Sequence, residues 1–204
     1  MTDEMFCFQC QQTAHNEKCN GKAGVCGKKS DTAKAQDELI GALIGLAKAA
    51  EYGAPTDCTD RLVLKGLFTT ITNVNFNTHT VKELTAEVKD EKRRIYKNHV
   101  DDYELSRLWE AGEDIRSLKS LILFGIKGMA AYAYHALALG KTDREVNAFF
   151  YMALRAIEGE NDPDKLLRLV LKTGEVNFKC MALLDNANTE SYGDPVPTVV
   201  PLPI

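Results

Sequence analysis

Four cysteines lie close together near the start of the sequence: Cys7, Cys10, Cys19 and Cys26, with the spacing C-x2-C-x8-C-x6-C. Cysteine thiolates are ligands for zinc ions and for iron–sulfur clusters. The segment that carries them contains several glycines and no long apolar run, so it cannot bury a hydrophobic core of its own. We therefore expect a bound inorganic group to organise it.

The spacing of the cysteines favours an iron–sulfur cluster. Structural zinc sites commonly use two short knuckles, but here only Cys7 and Cys10 form a C-x2-C pair. Cys19 and Cys26 stand alone, which suits the separate corners of a cubane, and nearby glycines let backbone amides turn toward inorganic sulfide. The spacing predicts [4Fe–4S], with [2Fe–2S] and zinc as the alternatives. His15 is a conceivable substitute ligand, but we expect it to be an exposed loop residue.

The elements that must position this loop are helices. Apolar residues at helical spacing begin at Ser30 and continue through most of the chain, which predicts an all-α fold. Ser30 and Asp31 are good N-cap residues for a first helix that is expected to run to about Tyr52. A second helix is expected to be capped by Thr59 or Asp60, and a third to begin at Thr78.

The helical pattern repeats at an offset of about 83 residues. Leu39-Ile40 corresponds to Ile122-Leu123, and Thr59-Asp60-Arg61 returns as Thr142-Asp143-Arg144. A constant offset across three helices predicts two three-helix bundles from a duplicated unit.

This repeat predicts five segments along the chain. They are an iron–sulfur-binding loop (1–29), a first three-helix bundle (30–98), a connection (99–113), a second bundle (114–187) and an extended Pro-rich tail (188–204). The connection is expected to hold a short helix near 103–111, with Trp109 packed against a neighbour. The tail contains four closely spaced prolines from Pro195 to Pro203, which favour extended backbone.

Composition narrows the class of function. The 204-residue chain carries a net charge of −4, which argues against nucleic acid or an anionic membrane as a partner. No apolar stretch reaches the roughly 18 residues that a membrane span needs, so we expect no membrane-spanning helix. The first residues lack the features of a signal peptide. We therefore expect a cytoplasmic protein with reduced thiols, in which Cys58 and Cys180 are small buried apolar residues.

Several motifs together resemble the hybrid-cluster protein family, whose members are also called prismane proteins or hydroxylamine reductases. Residues 5–14 read MFCFQCQQTA, residues 24–28 read GVCGK, and residues 36–37 read QD at the start of an apolar helix. The resemblance continues at DIRSL (114–118), GMAAY (128–132), LDNANT (184–189) and YGDPVP (192–197). It therefore covers both ends and the middle of the chain.

The resemblance implies a first domain made of two three-helix bundles, with a surface cubane cluster bound by Cys7, Cys10, Cys19 and Cys26. The family has a shorter-spaced version with [4Fe–4S] and a longer-spaced version with [2Fe–2S]. The eight residues between Cys10 and Cys19 match the shorter version, and the six between Cys19 and Cys26 exceed it by one.

The resemblance also implies a function. The whole family enzyme reduces hydroxylamine to ammonia, and takes part in nitric oxide chemistry, at a second, hybrid cluster whose ligands come from later α/β domains. Only Cys58 and Cys180 follow the loop here, so we expect no catalytic residue and no substrate-reducing site in this polypeptide.

The expected role is therefore electron transfer from a soluble electron donor protein to hybrid-cluster domains in a longer or split protein. Phe6 and Phe8, beside the first ligands, are expected to shield the cluster from water. Two alternatives stay open: a cluster-stabilised binding or sensing module that docks a partner chain, and a zinc-stabilised structural bundle.

Overall fold

The computed structural model describes residues 5–10, 19–71 and 74–197. Within these ranges it contains seven helices and no β-strand, which confirms the all-α class. The helices are α1 (Ser30–Tyr52), α2 (Asp57–Thr69), α3 (Thr78–Ile95), α4 (Ser106–Glu110), α5 (Glu113–Ala138), α6 (Arg144–Gly159) and α7 (Pro163–Tyr192).

The first three helices pack on one another, with α1 against α3 and both against α2. The start of α2 differs from the expectation. Thr56 is its N-cap and Thr59 is the third helical residue, and the two form a capping box in which each satisfies a backbone N–H of the other. Because this motif places the cap three residues earlier, α2 begins at Asp57 rather than at Thr59 or Asp60.

Helices α5, α6 and α7 form the second group, in which α5 packs along α7 and both contact α6. Asp143 caps α6 by accepting hydrogen bonds from the backbone N–H groups of Glu145 and Val146. Asp162 caps α7 in the same way, and Pro163 occupies its first turn, where a missing N–H costs nothing. The starts of α1 and α5, at residues 30 and 113, are 83 residues apart, as the repeat predicted.

The two groups of helices share a single core. Helix α2 packs against α5 and α1 against α6, and one continuous cluster of buried apolar side chains extends through both groups. At the junction, Asp60 accepts hydrogen bonds from the Tyr151 hydroxyl (2.6 Å) and from Asn147 Nδ2 (2.8 Å). Burial and this carboxylate raise the pKa of Tyr151, so the hydroxyl stays a donor at any physiological pH.

The connection between the groups lies directly on α1. The backbone N–H of Tyr103 donates to the carbonyl of Gly41 at 3.1 Å, and a Cβ at Gly41 would collide with the Tyr103 carbonyl. Only glycine allows this approach, which places α4 and Trp109 beside the amino-terminal loop.

The carboxyl-terminal segment corrects an expectation. Helix α7 continues to Tyr192, so residues 188–192 are helical rather than part of an extended tail. The reason is that these residues contain no proline, and the first proline after α7 is Pro195. Gly193, with φ of +81°, ends the helix, residues 195–197 are non-helical and exposed, and residues 198–204 lie outside the described residues.

Helix α5 is more apolar than the sequence analysis expected. Within the described residues it is the one helix whose length (26 residues) and mean hydropathy (1.3) would suffice to cross a membrane. Its inner face, however, packs against α2, α6 and α7, and it buries Lys119 and Lys127. The core helix of a helical bundle has the same length and composition.

Candidate metal centre in the amino-terminal loop

The cysteine loop is built from two short segments that lie side by side. The backbone N–H of Met5 donates to the Gly21 carbonyl and that of Cys7 donates to the Cys19 carbonyl, both at 3.1 Å. This antiparallel pairing brings the first and third cysteines together although they are distant in sequence. Residues 11–18, which include His15, lie outside the described residues.

A tight turn carries the fourth cysteine. The N–H of Gly24 donates to the Lys28 carbonyl at 2.8 Å, and the N–H of Gly27 donates to the Gly24 carbonyl at 2.9 Å. Gly27 has φ of +84°, a conformation that glycine adopts without steric strain. The turn places Cys26 at its tip, facing the segment that carries the other cysteines.

All four candidate ligands line one small cavity. Cys7, Cys10, Cys19 and Cys26 surround it, and its remaining walls are Gln9, Gly24, Val25 and Lys28. A Cβ at Gly24 would lie 3.5 Å from Cys26 Sγ and 3.7 Å from Cys19 Sγ, so the missing side chain leaves room between these sulfurs. All the cysteines are free thiols. Burial raises the pKa of the Cys7 thiol.

The candidate ligands do not form a closed coordination shell around one point. Among the described residues, no three His, Cys, Asp or Glu side chains converge closely enough to hold one metal ion. Zinc needs its thiolates about 2.3 Å from a common centre. The four thiols line one shared cavity, as the ligands of a single bound group would.

A buried lysine forms one wall of this cavity. Lys28 is only 1% exposed, and its Nζ donates a hydrogen bond to Gln36 Oε1 on α1. Gln36 is itself fully buried and is fixed by a bond from its Nε2 to the Asn75 carbonyl at 3.0 Å. The ammonium group is therefore held in place by neutral amide groups.

A second buried lysine approaches the loop from the other bundle. Lys127 on α5 is 3% exposed and donates to Gln9 Oε1 at 2.6 Å and to the Gln9 backbone carbonyl at 3.3 Å. The Gln9 side chain donates its Nε2 hydrogen to Asp37 Oδ1. The amide of Gln9 thus separates a buried cation from a largely buried carboxylate, and it lies in the chain between the ligands Cys7 and Cys10.

Burial is the largest influence on the pKa values of Lys127 and Asp37. Burial lowers the pKa of Lys127 to about 7, although Asp37 and the thiolates of Cys7 and Cys10 favour its charged form. Burial raises the pKa of Asp37 to about 7. Within the described part of the chain, neither Lys28 nor Lys127 forms a direct ion pair with a carboxylate. Additional negative charge in the cysteine cavity would stabilise both ammonium groups.

Aromatic side chains cover one side of the loop. The ring centroids of Phe6 and Phe8 are 4.6 Å apart, and each lies 5.3 to 5.5 Å from that of Trp109. The guanidinium carbon of Arg116 lies 5.5 Å from the Trp109 ring centre. The expectation that Trp109 packs against a neighbour is met, and that neighbour is the cysteine loop.

The two remaining cysteines differ from each other. Cys180 on α7 is fully buried, as expected, and burial raises the pKa of its thiol to about 12. Cys58 is exposed, so the expectation that it is buried was wrong. It lies in the first turn of α2, where its neighbour Thr59 takes the buried position instead.

Sequence reasoning assigned no role to Gln9, Lys28, Asp37 or Lys127. One signal for Lys127 was nevertheless present. It is a lone charged residue in the apolar sequence ILFGIKGMAA of α5, at the position that the 83-residue offset pairs with Ile44. A lysine at a core position requires a specific partner, because an unpaired buried ammonium is costly.

Comparisons with known proteins agree with this arrangement. The model of the Prismane/CO dehydrogenase family, whose members bind iron–sulfur clusters, matches residues 5–204. The chain is 42% identical over 228 residues to a hydroxylamine reductase of Solidesulfovibrio magneticus. It is 39% identical over 234 residues to that of Halothermothrix orenii and 38% identical over 235 residues to that of Petrotoga mobilis. Each alignment covers 97% of the chain, which spans 42 to 43% of the length of these relatives.

Proposed function

Because this chain belongs to the Prismane/CO dehydrogenase family, we propose that it is the electron-transfer domain of a hydroxylamine reductase-like oxidoreductase. In this proposal Cys7, Cys10, Cys19 and Cys26 bind a [4Fe–4S] cluster, and reduction of the nitrogenous substrate takes place outside this chain. The protein works in the cytoplasm, where its thiols remain reduced.

The observation that carries the proposal is the charge around the cavity. Four thiols surround it. Lys28 lines it and Lys127 bonds to its wall at Gln9; both lysines are buried, and neither forms a direct ion pair with a carboxylate among the described residues. Burying an ammonium group costs several kcal/mol unless an opposite charge lies near. A cluster with four thiolate ligands is anionic, so it would supply the negative charge that these lysines lack. A neutral, purely structural loop would gain nothing from two buried cations.

The residues around the cavity then have separate tasks. When bound, a [4Fe–4S] cluster accepts and releases single electrons. Gly24 leaves the space between two of the sulfurs, and the hydrogen bond between Cys7 and Cys19 sets the distance between the two loop segments. Phe6, Phe8 and Trp109 exclude water from one side, which adjusts the reduction potential.

The partners follow from this role. A soluble electron donor protein delivers electrons to the loop, and hybrid-cluster domains, in a longer protein or in a second chain, receive them. The relatives named hydroxylamine reductase are more than twice as long as this chain, so domains of that kind are the natural acceptor.

Anaerobic purification with iron and sulfide analysis tests the cluster directly. We expect brown protein with about four irons and four sulfides per chain, and an EPR signal that appears on reduction. About two of each would favour [2Fe–2S] instead. Colourless, iron-free protein that is properly folded would refute the proposal, and a cluster that cannot be reduced would favour the docking-module alternative.

A matched pair of variants tests the ligands. Cys19→Ser should lose or degrade the cluster while circular dichroism still shows the helices, because Cys19 lies in the loop and not in a helix. Cys58→Ser is the control, since Cys58 is exposed on α2 and outside the cavity. A full-strength cluster signal in Cys19→Ser would exclude that residue as a ligand.

A further inference from the structure

We propose, on the basis of the proposed function, that Lys127 is a positioning residue of the second bundle whose buried positive charge raises the reduction potential of the cluster in the cysteine loop.

The ammonium of Lys127 is fixed to the loop at the segment that carries two ligands. It donates to both oxygens of Gln9, and Gln9 stands between Cys7 and Cys10 in the chain. Lys127 and Gln9 are 118 residues apart in sequence, so this hydrogen bond is a tertiary contact that joins α5 to the loop. Among the described residues, these are the hydrogen bonds that Lys127 makes.

The sign of the effect follows from electrostatics. Reduction by a soluble one-electron donor adds one negative charge within the cavity, while the donor loses one electron. A fixed cation nearby stabilises the more negative, reduced state, and burial keeps water from screening this interaction.

The ionised form of Asp37 acts in the opposite direction. Its carboxylate accepts from the same Gln9 side chain that accepts from Lys127, so it lies on the other side of one amide group. Removing its negative charge leaves the effect of Lys127 unopposed. Asparagine at this position can still accept the bond from Gln9 Nε2, because it retains an oxygen at Oδ1.

Lys119 offers an internal control. It is also on α5 and also only 3% exposed, but its Nζ donates to Asn161 Oδ1 at 3.0 Å, next to the start of α7. Eight residues of helix separate it from Lys127, which is about 12 Å along the axis. Removing Lys119 therefore changes a buried lysine without changing the surroundings of the cysteines.

The test is an anaerobic redox titration of the whole chain, monitored by EPR. In Lys127→Met, which keeps an unbranched side chain as far as Cε but removes the ammonium group, the equilibrium constant for reduction should fall about tenfold, a shift of about 59 mV to more negative potential. Lys127→Arg should stay near the wild-type value, because the charge remains. Asp37→Asn should shift the potential upward, and Lys119→Met should leave it unchanged.

Each outcome has a defined meaning. An unshifted potential in Lys127→Met with full iron content overturns the inference, and so does an equal shift in Lys119→Met. If Lys127→Met fails to retain the cluster, Asp37→Asn decides: an upward shift supports the inference, and no shift or a downward shift refutes it. Wild-type protein that binds no cluster would instead refute the proposed function, and this inference with it.

Discussion

Ile44 in the first bundle and Lys127 in the second occupy equivalent positions, 83 residues apart on helices whose starts differ by the same offset. Both side chains are buried, Ile44 completely and Lys127 to 97%, its exposed fraction being 3%. Ile44 belongs to the continuous apolar core, whereas Lys127 bonds to Gln9 of the cysteine loop. On α1 this position contributes to the apolar core, and on α5 it contacts the candidate metal centre.

At a second pair of equivalent positions, the contact with the cysteine loop comes from the first bundle instead of the second. Gln36 and Lys119 are also 83 residues apart, and both are buried and polar. Gln36 bonds to Lys28 beside the cysteines, while Lys119 bonds to Asn161 far from them. The first bundle therefore presents Gln36 and Asp37 to the loop, and the second presents Lys127. The cysteine loop is held between the two halves.

The largest expected effect on stability comes from placing a lysine at position 44, as the second bundle has at the equivalent position 127. In Ile44→Lys, an ammonium group would enter the core at the equivalent position of the first bundle. Because Gln9 is already bonded to Lys127, the free energy of unfolding should fall by about 3 to 5 kcal/mol, as for an uncompensated buried charge. Urea unfolding followed by circular dichroism measures this. Ile44→Met, the apolar control, should cost less than about 1.5 kcal/mol, and a loss below about 1 kcal/mol in Ile44→Lys would contradict the comparison.

The aspartates of the repeated tripeptide provide a second, smaller contrast. Asp60 lies inside α2 and accepts two bonds across the junction, whereas Asp143 caps α6. Asp60→Ala should cost about 2 to 3 kcal/mol, because it removes charged hydrogen bonds and leaves Tyr151 without this acceptor. Asp143→Ala should cost about 1 kcal/mol, the usual value of an N-cap. If both variants lost the same free energy of unfolding in urea, Asp60 and Asp143 would contribute equally to stability, and the contrast between them would be wrong.

The smallest expected effect is a pH dependence of the free energy of unfolding, caused by Asp37, which bonds to Gln9 of the cysteine loop. The folded-state pKa of Asp37, about 7, lies above its unfolded value of 3.8, so between these values the folded state binds more protons than the unfolded state. The stability of the wild type should therefore fall relative to Asp37→Asn as the pH rises from about 4 to about 7. The stability difference should change by at least about 1.4 kcal/mol, the equivalent of one pKa unit.

Urea unfolding of cluster-free protein at several pH values measures this difference. Glu51→Gln, at an exposed position near the other end of the same helix, is the matched control, and it should keep the pH dependence of the wild type. A flat profile for Asp37→Asn would show that the carboxylate is solvated in the folded protein.

Much of the fold was predictable because its signals are local. Apolar spacing and capping residues placed α1, α3 and α5 close to their observed starts. The misplaced boundaries also have local causes. The capping box at Thr56 and Thr59 moved the start of α2, and proline-free residues carried α7 on to Tyr192. The four cysteines were identified by their spacing alone, and the structure places them around one cavity.

The helices and the cysteines could be predicted from the sequence because each depends on residues close together in the chain, and the repeat could be predicted by comparing two such stretches. Which buried polar groups meet depends on how the helices pack against one another. Lys127 and Gln9 are 118 residues apart, and no pattern along the chain predicts that α5 would turn this lysine toward the loop. A buried charge can be recognised as costly from its place in an apolar helix, but its partner exists only once the two bundles have packed.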